Sequence, residues 1–346
     1  MREKFKFYLS SYLGSRRFPR EALSRRWIAG RSSGKRILRV DGQPSGSVFW
    51  MEVAEGIHLV ECPWSTYFVS SCLIVGDGVA VIDAGTSGSP EAAIYPYLRG
   101  LGREPSEISH VLLTHAHHDH CGGVAPIKRE TGCRVGVHEL GRPYLEDPAL
   151  IDRQLQERFP ALFSDGMSDF DPVEVDIAFR DGDAIDLGGR ALRVVHIPGH
   201  SACSSCLVDD ELGVYICGDS VQGWGGRRPL LFHSSTEYTA SMRRLLDEPM
   251  ETLINGHPFP PFDKAVLRGD ECPEHVRRSL AGAEELRRLV LGALEGAAEP
   301  MSIGQLHEGV GVSSPVTIGC ILEALEREGR AERAGATEAD LWILKK

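Results

Sequence analysis

The 346-residue chain has no run of eighteen or more apolar residues, so nothing in it reads as a membrane span. Its N-terminus lacks an apolar core followed by a small-residue cleavage site, which argues against a secretory signal and makes the cytoplasm the expected location. Internal repeats and low-complexity tracts are missing as well. Cysteines are few and odd in number, nine at irregular spacing in a chain too large to need staples, so most are expected to be reduced and buried. Basic charge is scarce after the first fifty residues. Those fifty hold twelve Lys/Arg against three Asp/Glu, leaving 26 against 46 for the rest of a chain whose net charge is −11. An acidic body repels phosphate backbones, so nucleic acid is disfavoured as a partner and a small-molecule substrate is favoured, although a local basic groove would be compatible with it.

What is present is an ordinary apolar fraction of 42% over a length that suits one large domain plus a small one. Residues 1–50 read as a basic extension (Arg16, Arg17, Arg20, Arg25, Arg26, Arg31), either a solvated tail or an anchor for anionic surfaces. From residue 51 short β-rich runs begin at 56–60, 72–75 and 79–83, with Gly-Asp-Gly at 76–78 as a hairpin signal. A helical stretch near 90–101 leads into an apolar strand at 110–114, and further strands are expected at 133–138, 191–197, 206–217 and 251–255. Strands in meanders that then alternate with helices predict an α/β fold of two sheets packed face to face with helices outside.

Between Gly141 and Asp183 the chain turns rich in Pro, Asp and Phe (Phe159, Phe163, Phe170). Such a long connection suits a lid over a site, with Phe163 as a wall, or else a helical insertion packed on the body. A second unit spans 263–346. Apolar positions at helical spacing over 273–295, a capping Ser302 and a third helix near 314–328 precede a terminal hairpin. Three helices and a hairpin resemble a winged-helix domain. Its candidate recognition helix carries Glu323 and Glu326 and few basic groups, so packing or formation of a homodimer is the expected role.

The chemistry is concentrated in Thr-His-Ala-His-His-Asp-His-Cys-Gly-Gly at 114–123. Burying several imidazoles without partners costs about 1–3 kcal/mol each, and a metal ion removes that cost. His115 and His117, two apart at a strand end, can face one ion, while Asp119 and His120 continue toward a second. The string matches the His-x-His-x-Asp-His signature, and residues 51–262 resemble the metallo-β-lactamase superfamily. His200 in Ile-Pro-Gly-His-Ser, Asp219 in Cys-Gly-Asp-Ser and His257 in Asn-Gly-His-Pro follow in the family's order. The resemblance implies an αββα sandwich with two divalent metal ions, zinc before iron or manganese. It places His115, His117 and His200 on the first ion, Asp119, His120 and His257 on the second, and Asp219 between them. It also implies that Asp83 supports the cluster from behind.

A pair of ions about 3.5–4 Å apart brings the pKa of a shared water toward about 7, giving a bridging hydroxide that Asp119 can orient. The expected function is therefore hydrolysis of a small ester, thioester or lactone, with His233 as a candidate lining residue. The ligand string is similar to that of hydroxyacylglutathione hydrolases, and the helical tail to that of the β-lactamase-like protein 2 endoribonucleases. A phosphodiesterase or endoribonuclease is the alternative. Iron-dependent redox chemistry is a third, opposed by His117 where the flavodiiron branch tends to place a glutamate. Cys203 and Cys206 are expected to be structural.

Overall fold

A computed structural model describes residues 27–32, 35–40, 48–64, 67–162, 167–335 and 340–345. Its first sheet runs in chain order through β1 (Trp27–Ser32), β2 (Lys35–Val40), β3 (Val48–Ala54), β4 (Ile57–Trp64), β5 (Tyr67–Val75), β6 (Val79–Ile82), β7 (Ile108–Leu112), β8 (Arg134–His138) and β9 (Ile177–Phe179). Pairing is antiparallel up to β6 and parallel from β6 to β9. The turn at 76–78 closes the β5–β6 hairpin, as the Gly-Asp-Gly string predicts. Strands begin earlier than the residue patterns suggest. β1 and β2 form a hairpin that pairs with β3, so part of the expected basic extension lies on the sheet, while Arg16, Arg17, Arg20, Arg25 and Arg26 lie outside the described residues.

The second sheet contains β10 (Ala184–Asp186), β11 (Ala191–His196), β12 (Ser205–Asp209), β13 (Val214–Gly218), β14 (Thr252–Phe259) and β15 (Lys264–Arg268). Within it only β13 and β14 pair in parallel. The apolar run at 206–217 is therefore two strands around a turn, a distinction that continuous hydrophobicity hides. Cys206 and Cys217 form a disulfide across them, and the seven remaining cysteines are free and buried.

Alternation along the strands explains the layering. In β6, Val79 and Val81 face outward to Ile94 and to Tyr95 and Leu98 of α1 (Tyr95–Gly100), whereas Ala80 and Ile82 face the second sheet. Successive side chains point to opposite faces, so a strand covered on both sides is apolar throughout. After β7 come α2 (His118–Cys121) and α3 (Val124–Thr131), and after β8 come α4 (Arg142–Glu146) and α5 (Ala149–Arg158). In β13, Val214 and Ile216 fill the core between the sheets while Tyr215 and Cys217 meet Tyr238, Met242 and Leu245 of α6 (Ser235–Leu245). The result is helix, sheet, sheet, helix.

Past β15 the long α7 (Glu271–Glu295) leads to β16 (Met301–Ser302), α8 (Ile303–Val310), α9 (Pro315–Arg327), β17 (Ala331–Arg333) and β18 (Leu341–Leu344). Ser302 caps α8 in a reciprocal box with Gln305, and Ser314 caps α9, which starts at Pro315. The three strands form a small sheet in the order β16-β18-β17. Their core includes Leu286, Val290, Ile318, Leu322 and Trp342, and it also takes in Leu155 and Phe159 from the 141–183 segment. That segment is thus packed on the C-terminal unit. Among the described residues no helix is long and apolar enough to cross a membrane.

The Phe159 contact yields a paired test. Glycine inside a helix ordinarily costs about 1 kcal/mol relative to alanine. At Gly292, where an added Cβ meets nothing within 4 Å, Gly292→Ala should raise stability by up to about that amount. At Gly319 an added Cβ would lie 2.4 Å from Phe159 Cε1, and overpacking of about 1–3 kcal/mol outweighs the propensity gain. Gly319→Ala should therefore lower the urea midpoint, and a rise would show that α5 does not press on α9.

Candidate metal centre

The predicted ligands come from four places in the fold, three just beyond the end of a strand and one within a strand. His115, His117, Asp119 and His120 follow β7, His200 follows β11, Asp219 follows β13, and His257 lies within β14. Loops held by a rigid scaffold are where chemistry is usually placed. All seven side chains are buried, and the fold brings them together. His115, His117 and His200 offer ligand atoms within 4.8 Å of one another, as do Asp119, His120 and His257. Asp219 lies between the two groups, with Oδ1 3.3 Å from His120 Nε2 and 3.5 Å from His257 Nε2 and Oδ2 4.0 Å from His200 Nε2.

Close approach demands glycine beside two of these residues. A Cβ on Gly256 would sit 2.3 Å from Asp219 Oδ1, and one on Gly218 (φ 51°) would sit 2.1 Å from Thr114 Oγ1. The Gly before Asp219 and the Gly before His257 are therefore part of the site's construction.

Four of the imidazoles have a partner outside the ligand set at Nδ1, that of His115 being Thr114 Oγ1 (3.1 Å). His120 Nδ1 is 2.8 Å from Asp83 Oδ2, whose carboxylate also accepts from Thr114 N–H (2.8 Å) and Thr114 Oγ1 (2.7 Å). Asp83 thus ties His120 to Thr114, with its own backbone at φ 58°. His200 Nδ1 donates to Leu230 O (2.7 Å), and His257 Nδ1 donates to Phe68 O (2.7 Å). Such partners fix tautomer and ring direction in metal-binding histidines. Other atoms of the cluster are left over: His115 Nε2, His117 Nε2, His120 Nε2 and Asp219 Oδ1 are buried without a hydrogen-bond partner. His117 Nδ1 faces His200 Nε2 at 2.8 Å. Buried polar atoms are nearly always satisfied, so a cluster of exceptions around one point fits cations bound there.

The electrostatics agree. Burial, reinforced by neighbouring imidazoles, pushes His115 and His117 well below the usual histidine range and keeps them neutral donors. Burial would raise Asp119 and Asp219, but the surrounding histidines, His120 and His257 above all, hold both well below the usual carboxylate range. His120 shows the reverse balance. Burial acts to lower it, and Asp119, Asp83 and Asp219 together drive it well above normal. Imidazoles held neutral, as His115 and His117 are, beside carboxylates held anionic, as Asp119 and Asp219 are, make up the donor chemistry of a borderline-soft divalent cation.

Beside His117 opens a cavity. Its inner wall is Ala116, Ser201, Ala202 and Cys203, and its outer wall is Tyr144 of α4 and Ile151, Gln154, Leu155 and Arg158 of α5. The helical first half of the 141–183 segment therefore lines the cavity beside His117. His233 lines the cavity, with Nε2 2.8 Å from Glu237 Oε2. Phe163 lies outside the described residues. On the cavity side the aromatic that meets the imidazoles is Phe232, whose ring centroid is 5.0 Å from that of His117 and 5.7 Å from that of His200, while Trp64 and Phe259 lie against His257. Residue patterns give no reason to choose Phe232 beyond its adjacency to His233. Gln222 is equally silent in the sequence. It is fully buried three residues after Asp219, and its amide bonds Asp219 O and both the N–H and the carbonyl of Leu230.

A family model for the metallo-beta-lactamase superfamily matches residues 64–257, more than half of the chain and the span that carries every predicted ligand. The chain belongs to that superfamily. Among curated proteins it is similar to an atrochrysone carboxyl ACP thioesterase of Aspergillus fumigatus, 33% identical over 199 residues covering 55% of this chain and 39% of that protein. It is also similar to a hydroxyacylglutathione hydrolase of Cereibacter sphaeroides, 30% identical over 195 residues, 54% of this chain and 64% of that one. It thus spans less than two thirds of the length of either relative. Among solved structures, a metallo-beta-lactamase family protein from Thermus thermophilus shares the fold with a TM-score of 0.67 at 23% identity, covering 85% of this chain and all of that one. The subclass B3 metallo-beta-lactamase of Bradyrhizobium japonicum gives a TM-score of 0.52 at 21% identity over 70% and 94% of the two chains.

The Asp83–His120 contact can be tested alone. Asparagine tolerates positive φ about as well as aspartate, so Asp83→Asn removes charge without adding backbone strain. Zinc affinity of the group containing Asp119, His120 and His257 should fall about 10–100-fold while the circular dichroism spectrum is kept. Unchanged affinity in equilibrium dialysis would mean that Asp83 serves only the fold.

Proposed function

We propose that this chain is a dinuclear metal-dependent hydrolase whose substrate is an acyl thioester or a closely related small ester or lactone. The observation that carries the reading is the cluster of unpartnered, buried donor atoms, one of whose members, His117, lines a cavity with apolar walls from Tyr144, Ile151, Leu155 and Phe232. Two divalent cations, zinc first among the candidates, would supply Lewis acidity toward the acyl oxygen and make water a nucleophile near neutral pH. His115, His117 and His200 would hold one, Asp119, His120 and His257 the other, and Asp219 both.

The residues then divide the work. Asp119, kept anionic by His120 and His257, is the group that accepts a hydrogen bond from the attacking water and orients it. Ile151, Leu155 and Phe232 take the acyl group out of water, which stabilises binding by roughly 25 cal/mol for each Å² of apolar surface buried. Relatives named thioesterase and hydroxyacylglutathione hydrolase point to the same bond type. Against a nucleic-acid substrate, the helix next to the cavity on the C-terminal side presents Glu323, which is already paired with Arg158.

The zinc-loaded protein is expected to cleave acyl thioesters faster than bis-p-nitrophenyl phosphate, and to stop when a chelator removes the metal. Phosphodiester turnover above that of every thioester and lactone tried would transfer the chain to the phosphodiesterase reading. Asp219→Asn keeps size and gives up one charge between two dications. Metal content should drop and turnover should fall by two or more orders of magnitude, as about 3 kcal/mol of lost transition-state stabilisation implies. Full zinc content with normal turnover in that variant would remove Asp219 from the bridging role.

A further inference from the structure

Residues 229–233 cross beside His200 with no regular structure, yet their buried backbone groups must still find partners. On the inner side, Leu230 N–H donates to Gln222 Oε1 (2.7 Å), and Leu230 O accepts from Gln222 Nε2 (2.9 Å) and His200 Nδ1 (2.7 Å). On the outer side every partner belongs to the C-terminal unit or leans on it. Leu231 N–H donates to Thr317 Oγ1 (2.9 Å), and Pro229 O accepts from Ser313 Oγ (2.6 Å) and Thr317 Oγ1 (3.2 Å). Arg158 donates to Phe232 O (2.5 Å) and His233 O (2.9 Å) while Glu323 of α9 grips the same guanidinium at 2.7 Å.

This segment is therefore a strap held between the metal centre and α9. One carbonyl on it, that of Leu230, decides which nitrogen of His200 carries the proton, and its next residues supply Phe232 and His233 to the cavity. We propose that the C-terminal unit is a working part of the site, with Thr317 as a positioning residue that fixes the strap and, through Leu230 O, the tautomer and direction of His200. The proposal rests on the reading of His200 as a metal ligand. Thr317 is neither a metal donor nor a wall of the cavity, and its hydroxyl reaches the site only through the backbone of residues 229–231, its other contact being Ser314 Oγ (2.9 Å) at the start of α9. The unit thereby links site geometry to whatever α9 packs against, without any need for nucleic-acid binding.

Zinc affinity of the full chain, measured by competition with a chromophoric chelator, tests it without reliance on turnover. Thr317→Val is near-isosteric and removes both the acceptor for Leu231 N–H and the donor to Pro229 O. It should weaken zinc binding at one site by about 10-fold or more, the usual effect of losing a partner that orients a ligand. Thr317→Ser, which keeps the hydroxyl, should bind close to wild type. Val290→Ala, which opens a void in the same C-terminal core but removes none of the strap's hydrogen bonds, should lower the thermal midpoint but leave zinc affinity in place. If Thr317→Val does not fold, Ser313→Ala removes one donor to Pro229 O and is read in the same way. Wild-type zinc affinity in Thr317→Val, or equal losses in Thr317→Val and Val290→Ala, would overturn the proposal. His200→Ala tests the underlying reading separately: zinc binding that survives it refutes the ligand assignment, whereas its loss beside an intact Thr317→Val refutes only the positioning role.

Discussion

Burial of five imidazoles and three carboxylates around one point is the constraint on which the rest of this structure depends. His115, His117, His120, His200 and His257, with Asp83, Asp119 and Asp219, are all at most 6% exposed. Unpaired buried charge is among the most expensive features a fold can carry, and like groups repel at short range. The protein meets the cost in two ways. The outward nitrogens of His120, His200 and His257 are given to fixed acceptors, and opposite charges are interleaved, so that the histidines hold Asp119 and Asp219 well below the usual carboxylate range while the carboxylates drive His120 well above the usual histidine range.

How much of this is legible in the sequence follows from how local each piece is. The string at 114–123 holds four of the seven donors within six residues, and its position after an apolar strand gives the centre away. His200, Asp219 and His257 stand far apart and can be placed only through the family's order, because nothing in their own neighbourhoods distinguishes them from ordinary loop residues. Asp83 is readable on the same ground. The αββα layering is readable from the switch between meanders and crossovers, whereas the run at 206–217 conceals a turn because both of its strands are buried on both faces.

The outer half of the site is not readable, and the reason is chain separation. Phe163 stands out for its bulk within a segment of lid-like composition, while Phe232 meets the imidazoles from a stretch with no compositional signal. Arg158 and Glu323 are 165 residues apart, and Leu231 and Thr317 are 86 apart. No periodicity or motif spans such distances. A buried glutamine such as Gln222 has no signature at all, since its importance lies in matching the donor and acceptor of one backbone residue, which only the folded geometry reveals. The two small glycine signals, Cys-Gly-Asp and Asn-Gly-His, are visible but silent until the 2.3 Å approach of Gly256 to Asp219 gives them a cause.

That separation also explains why the C-terminal unit has acidic and apolar character where a nucleic-acid reader would be basic. Its core takes in Leu155 and Phe159 of the covering segment, and Glu323 neutralises the one arginine on the cavity wall. A free guanidinium there would attract anionic groups into a pocket otherwise walled largely by aliphatic and aromatic carbon. Paired with Glu323 and committed to the carbonyls of Phe232 and His233, Arg158 instead uses its donors to hold the wall in shape. Charge selection at the cavity mouth is thus weakened and shape selection strengthened, so a molecule entering this cavity should be discriminated mainly by its volume rather than by its charge.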